Sequence, residues 1–163
     1  MRKFFSIFAL TGFFSSVFVH LSTFFGTDLS KHIPRVWVLH LGVFVAFIPM
    51  LLLQGLAPKK DWNQIFATIP RWARYSIKVF FAYALINFAL FFFLSESGVP
   101  DVRDGKYVLH NHGQIIRELS ENDYEWQKAY VLRVFSGHWM AFYLLPAIVL
   151  WFRRKSAHPD SFN

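Results

Sequence analysis

Four long apolar segments dominate the chain, and short polar segments separate them. The apolar segments cover residues 4–25, 35–57, 75–95 and 131–152. A helix rises about 1.5 Å per residue, so about 20 apolar residues match the hydrocarbon core of a bilayer, which is about 30 Å thick. The pattern therefore predicts an all-α membrane protein in which four transmembrane helices form a single up-down bundle.

Small and polar residues on one face of the first segment indicate where that segment packs. Gly12, Ser16 and His20 recur every four residues and therefore share a helix face. Small residues let two membrane helices approach closely, so this face is predicted to point into the bundle. In the last segment, Gly137-x-x-x-Ala141 has the same spacing and is interpreted as a second packing site.

A short amphipathic segment separates the second and third predicted spans. Its apolar residues recur at helical spacing: Trp62, Ile65, Phe66 and Ile69. This spacing predicts a helix over 61–69 that lies in the membrane interface. Arg71 and Arg74 follow it and, together with Trp62, are candidate contacts for anionic lipid. The alternative is a plain connector anchored by a tryptophan.

The loop over 96–130, between the third and fourth spans, is the largest polar segment. Two short runs with strand character, 106–110 and 114–119, flank Asn111-His112-Gly113, which suits the positive φ angles of a tight turn. We therefore predict a small two-stranded β-hairpin and interpret residues 95–101 as loop. A hairpin of this size is not stable alone, so it is predicted to rest on the helix ends or on a partner.

The last helix is predicted to begin just after this hairpin. Ser120 is a favourable N-cap residue, and Asp123 approximates a capping box three residues later. A helix over 121–152 has 32 residues and is about 48 Å long. Because this exceeds the thickness of the hydrocarbon core, the first turns of the helix are predicted to stand above the membrane.

The distribution of charge orients the predicted spans. The chain has a formal net charge of +7 and is 55% hydrophobic. Its 17 Lys and Arg residues mostly flank the apolar segments. Because this position is typical of membrane helices, the positive charge does not indicate nucleic acid as a partner. With a cytoplasmic N-terminus, ten of these basic residues lie inside, and the other seven share the outside with eight acidic residues. Because Lys and Arg favour the cytoplasmic side, we predict cytoplasmic N- and C-termini, an external hairpin, and a location in a bacterial inner (plasma) membrane.

Three histidines are predicted to lie at a similar depth near the outer ends of their helices. His20, His40 and His138 are each about five residues inside an outer helix end, or about 7–8 Å below the interface. Imidazoles at one depth suit a haem or a transition metal. The candidate ligands are His20, His40 and His138 for a cofactor, with His110 and His112 of the hairpin for a metal. The alternative is that each histidine is a hydrogen-bonding or packing residue.

Two further polar residues fall inside the predicted spans. Asn87 is in the middle of the third span, where an amide usually forms a hydrogen bond between helices. Arg133 is near the outer end of the fourth span. It is interpreted either as a ligand for a phosphate or carboxylate, or as a side chain that reaches the lipid headgroups.

The sequence favours a function in binding over one in catalysis. The chain has no cysteine, which excludes thiol catalysis and thiolate metal sites, and we find no nucleotide-binding loop, carboxylate pair or nucleophile with a base. The first hypothesis is a non-enzymatic accessory or partner-binding protein that contacts the lipid bilayer and either a membrane protein partner or a second copy. The alternative is a histidine-liganded haem or metal-binding redox protein. The candidate partner or lipid contacts are Trp62, Arg71, Arg74, Tyr107, Tyr124, Trp126 and Arg133. The last four lie on the predicted outer side of the membrane. Of these, Tyr107, Tyr124 and Trp126 are expected to be exposed.

Overall fold

A computed structural model describes residues 1–55 and 66–152, which are mostly helical. The helices are α1 (Arg2–Ser22, continued by a 3-10 turn over Thr23–Phe25), α2 (Leu29–His32), α3 (Val38–Gly55), α4 (Arg71–Leu94) and α5 (Glu121–Phe152). The strands β1 (Val99–Arg103), β2 (Lys106–Asn111) and β3 (Gln114–Glu118) form one antiparallel sheet in the order β1-β2-β3.

Three of the described helices are long and apolar enough to cross a membrane, namely α1 with its 3-10 turn, α4 and α5. Helix α3 is also apolar but shorter, with 18 residues, or about 27 Å. Of the predicted interfacial segment 61–69, residues 66–69 are described, and 66–68 are helical. Trp62 and the basic run 153–155 lie outside the described residues.

Helix α5 is the centre of the bundle. Its buried residues extend over most of its length, and its largest fully buried side chains include Trp139 and Tyr143, each 1% exposed. A helix that is apolar on all sides gains most when other helices surround it. The Ser120 hydroxyl accepts a hydrogen bond from the backbone N–H of Asp123 at 3.1 Å. The predicted cap and the uninterrupted helix over 121–152 are therefore confirmed.

Contacts near both ends of α5 give the directions of the other helices. The Ser6 hydroxyl donates to the carbonyl of Ala147 at 2.7 Å, and His20 meets Ser136, so α1 runs antiparallel to α5. Helix α4 also runs antiparallel to α5, whereas α3 runs parallel to it. The ring contacts that show this are Trp72–Phe152 and Phe88–His138 for α4, and His40–Phe135 and Phe47–Phe142 for α3.

The inward face predicted for α1 is confirmed. Gly12, Ser16 and His20 are all buried, and the Ser16 hydroxyl donates to the carbonyl of Gly12 at 2.7 Å. The opposite side of the helix exposes large apolar side chains such as Phe14 and Phe18. This arrangement is typical of a helix that has lipid on one side and protein on the other.

The predicted hairpin is present, but it is part of a larger sheet. Strands β2 and β3 pair around His112 and Gly113, whose φ angles are 47° and 86°. The two-stranded prediction was wrong in one respect, because residues 99–103 form a third strand that pairs with β2. Pro100 and Asp101 disfavour strand formation, which is why this segment was interpreted as loop. The Asp104-Gly105 turn, with φ angles of 51° and 75°, is the hairpin signal that identifies it.

Charged residues join the sheet to the helices and join the helix ends beneath it. Lys31 of α2 forms an ion pair with Glu125 of α5, which links these two helices. The Arg117 guanidinium of β3 contacts Glu96 at 2.7 Å and Asp123 at 3.7 Å. The hydrogen bond from Arg117 lowers the pKa of the Glu96 carboxyl below its usual value. We call residues 95–130 the cap, since they cover one end of the bundle.

The aromatic residues of the cap pack mostly against the chain itself. Tyr107 and Tyr124 stack with ring centroids 4.5 Å apart, and the ring of Trp126 lies against Gly26. All three aromatic side chains are half-buried, so the expectation that they are exposed was wrong. The Tyr107–Tyr124 pair helps to dock the sheet on α5, because stacked rings bury large apolar areas, and Trp126 packs α5 against the turn after α1. Their role as partner contacts stays a prediction.

Candidate functional site

A network of polar side chains lies inside the bundle near the cap. Helix α1 and its 3-10 turn supply His20 and Thr23, α4 supplies Tyr83 and Asn87, and α5 supplies Arg133 and Ser136. His20, Thr23 and Ser136 are at most 3% exposed. Buried polar groups are costly unless they are paired, so the geometry of these hydrogen bonds decides what the network does.

His20 is the centre of a directed chain of hydrogen bonds. Its Nε2 atom is 2.5 Å from the Tyr83 hydroxyl and its Nδ1 atom is 2.9 Å from the Ser136 hydroxyl, which in turn donates to the carbonyl of Arg133 at 3.1 Å. One placement of the hydrogen atoms lets the donor groups of Tyr83, His20 and Ser136 all form hydrogen bonds. Tyr83 donates to Nε2, the Nδ1–H group donates to Ser136, and Ser136 donates to the carbonyl. His20 is then a neutral imidazole that links all three membrane-length helices.

Arg133 caps the C-terminal end of α1 and its 3-10 turn. Its Nε donates to the Thr23 hydroxyl at 3.1 Å and its Nη2 donates to the Thr23 carbonyl at 2.7 Å, while the guanidinium lies 4.3 Å from the ring centre of Phe24. A helix C-terminus leaves carbonyls without partners and carries partial negative charge, so a cation is favourable there. Neither earlier interpretation of Arg133, as an anion ligand or as a headgroup contact, describes these contacts.

Asn87 joins α4 to the same turn of α5. Its side-chain amide donates to the carbonyl of Arg133 at 2.9 Å, which confirms the predicted hydrogen bond between helices. Gly137 allows this close approach, because a Cβ at that position would lie 2.5 Å from the Asn87 amide nitrogen and 3.6 Å from the His20 ring. The predicted packing role of Gly137 is therefore confirmed, although its partner is a polar side chain.

The contact between Ser136 and His20 resembles part of a nucleophile–base pair but does not have the required geometry. A nucleophilic serine donates its hydroxyl hydrogen to the base and is open to substrate. Here the Ser136 hydroxyl is 0% exposed and donates to the carbonyl of Arg133. The arrangement is suited to holding helices in register rather than to attacking a substrate.

The other predicted ligands have separate partners. The Nδ1 atom of His40 accepts a hydrogen bond from the indole N–H of Trp139 at 3.0 Å, and the Nδ1–H group of His138 donates to the carbonyl of Val134 at 2.7 Å. On the sheet, His110 lies 3.7 Å from the Asp101 carboxylate and His112 occupies the β2–β3 turn.

The described residues contain no group of three or more His, Cys, Asp or Glu side chains arranged to hold a metal ion. In His20 both ring nitrogens have hydrogen-bond partners, whereas in His40 and His138 the Nε2 atom has none among the described residues. The Nδ1 atom of His110 also has no hydrogen-bond partner there. The haem or metal hypothesis, with His20, His40 and His138 or with His110 and His112, stays a prediction. A Soret band or bound metal in the purified protein would support it.

No family model matches the chain, and neither a curated protein nor a solved structure is significantly similar to it.

Sequence reasoning missed two members of the network, Tyr83 and Thr23. The signal for Tyr83 was its spacing, because it lies four residues before Asn87 and therefore shares a helix face with it. Thr23 lies three residues after His20, and its hydroxyl donates to the His20 carbonyl at 2.7 Å. Polar residues at helical spacing inside an apolar run were thus the available signal for both.

Proposed function

We propose that the protein is a four-span integral membrane protein that acts as a non-enzymatic accessory subunit, and that the free edge of β3 in the cap binds its partner. The observation that carries this proposal is an exposed apolar edge strand on a firmly docked sheet. Ile115 and Ile116 of β3 are 55% and 46% exposed. Exposed apolar edge strands readily pair with other chains unless something protects them.

The helix directions support four crossings. Helix α3 starts near the cap and runs parallel to α5, so the four apolar helices alternate in direction along the chain. All described carboxylates lie in the cap or in the turn after α1, while basic residues such as Arg2, Arg71 and Arg74 lie toward the opposite end. This asymmetry favours cytoplasmic termini and an external cap in a bacterial inner membrane.

The packing of the cap supports a fixed platform rather than a mobile loop. Val108 and Leu109 of β2 are at most 2% exposed, and the Arg117 ion pairs join β3 to the segment between α4 and β1 and to α5. A surface that is already ordered binds with a smaller entropy cost. The buried network of His20 and Arg133 lies beneath it and fixes the helix ends on which the sheet rests.

The occupant we propose is an extended segment of a partner protein on the same side of the membrane, which adds to the sheet as a fourth strand. Among the described residues, β3 pairs with β2 alone, so one row of its backbone N–H and C=O groups faces outward. Pairing with a fourth strand would satisfy these groups, and the two isoleucines would supply apolar contacts on both faces of the strand.

Photo-crosslinking in cells that produce the chain natively tests this proposal. A photoreactive side chain at position 115 should give one discrete adduct with another protein, and the same side chain at position 102 should not. Val102 is a matched control because it lies on β1, the other edge of the same sheet, and is 49% exposed.

The partner identified in this way should bind Ile115→Asp at least about tenfold more weakly than the wild type, and Val102→Asp with unchanged affinity. Purified chain and purified partner are sufficient for this measurement. Equal adducts at positions 115 and 102, or an adduct only with a second copy of the chain, would contradict the proposal.

A further inference from the structure

A basic cavity lies at the end of the bundle opposite the cap. Arg71, Arg74 and Lys78 occupy one face of the first turns of α4 and, with Tyr75 and Phe66, line a cavity of about 500 Å³. The spacing of 3, 4 and 7 residues is the reason that these three cations share a face. The cavity is separate from the polar network and from the β3 edge, and neither of these explains it.

The charges of this cavity have no counter-charge in the described part of the chain. None of the three cations forms an ion pair there, and the described carboxylates all lie at the cap end. Like charges three or four residues apart on a helix destabilise it. The free N–H groups of the first turn of α4, which has no side-chain cap, add positive potential at the same place. An anion bound in the cavity would offset both the repulsion between the cations and the positive potential of the helix end.

The surface below the cavity restricts the chemistry of that anion. The face of α4 that carries the cations continues through Ala82, Leu85 and Ala89, all of which are exposed. Leu85 is 69% exposed, and all three side chains are apolar. A ligand that fills the basic cavity and also covers this apolar surface has an anionic head and an apolar tail.

We propose that this cavity binds the phosphate headgroup of an anionic phospholipid, with an acyl chain lying along Ala82, Leu85 and Ala89. Basic pockets beside membrane helices bind anionic lipid headgroups by charge attraction and by hydrogen bonds from arginine. The exposed rings of Trp72 and Tyr75, at 65% and 70%, lie at the level expected for interfacial aromatic residues. In the proposed orientation the lipid belongs to the cytoplasmic leaflet. The site does not depend on a protein partner at the cap.

Lipid titration of the purified full chain in mild detergent tests the site, with native mass spectrometry to count bound lipids. The wild type should prefer phosphatidylglycerol over phosphatidylcholine by about tenfold or more, and this preference should fall as the salt concentration rises. Arg71→Gln/Arg74→Gln should lose most of the preference. Arg71→Lys/Arg74→Lys should keep most of it, since the charge remains.

The matched control is Arg35→Gln/Lys128→Gln, which removes two cations from the cap end of the chain and should leave the preference unchanged. An equal loss in this control, or a wild-type preference that is absent or insensitive to salt, would overturn the proposal. Inorganic phosphate separates the two sources of the anion. If millimolar phosphate displaces phosphatidylglycerol, the site takes free phosphate and the lipid assignment is wrong.

Discussion

Gly12→Val should destabilise the bundle by about 2–4 kcal/mol, which combines the strain of overpacking with the loss of one hydrogen bond. A Cβ at Gly12 would overlap the ring of Tyr143, which is 1% exposed. That ring has little freedom to move, because its hydroxyl donates to the carbonyl of Leu39 at 2.7 Å. The substitution therefore disturbs α1, α3 and α5 together. Thermal unfolding in mild detergent, followed by tryptophan fluorescence, measures the effect.

Thr11→Val is the matched control for this substitution. Thr11 is the preceding residue of α1 and is exposed, so the added methyl group meets lipid or detergent. We expect a change within about 0.5 kcal/mol. Equal destabilisation by Gly12→Val and Thr11→Val would show that the close contact between α1 and α5 does not control stability.

His20→Leu should lower the free energy of unfolding by about 1–3 kcal/mol. The substitution removes two hydrogen bonds between helices and leaves the hydroxyls of Tyr83 and Ser136 with fewer partners. His138→Leu is the control, since the His138 ring donates to a carbonyl of its own helix. His138→Leu should lower the free energy of unfolding clearly less than His20→Leu does. Unfolding of both variants under the same conditions gives the comparison.

A double-mutant cycle distinguishes loss of the network from loss of packing. Tyr83→Phe removes the hydroxyl that contacts His20 and keeps the ring. If the hydrogen bond matters, the double variant should be less destabilised than the sum of the single variants by about 0.5 kcal/mol or more. Strict additivity would indicate that the hydrogen bond between His20 and Tyr83 does not contribute to stability, which leaves packing and the contact with Ser136 as the sources of the His20 effect.

Local signals predicted the helices of this fold well. The N-cap signal of Ser120 and Asp123 gave the start of α5 correctly, because a capping hydroxyl acts within the first turn of the helix. The same reasoning failed at β1. Pro100 and Asp101 oppose strand formation, yet the Asp104-Gly105 turn brings this segment beside β2, so pairing with a distant strand decided the outcome.

The candidate site was predictable only in part, for a geometric reason. Residue spacing predicts a similar depth for His20, His40 and His138, since depth depends only on the rise per residue. The direction in which each ring points also depends on the rotation of its helix. Small residues gave that rotation for α1, where His20 shares the four-residue spacing of Gly12 and Ser16. In α3 the small residues Gly42 and Ala46 have the same spacing, but His40 is not part of it. His40 accepts a hydrogen bond from Trp139, whereas His20 meets Tyr83 and Ser136.

The alternating arrangement of four crossings, with the cap outside, is tested most directly by cysteine labelling. The chain contains no native cysteine, so single cysteines report without background. Gln114→Cys in the cap and Lys3→Cys near the N-terminus, both exposed positions, are treated in intact cells with a membrane-impermeant maleimide. We predict that position 114 is labelled at once and that position 3 is labelled only after the membrane is opened. Labelling of both positions in intact cells, or of position 3 alone, would contradict the account.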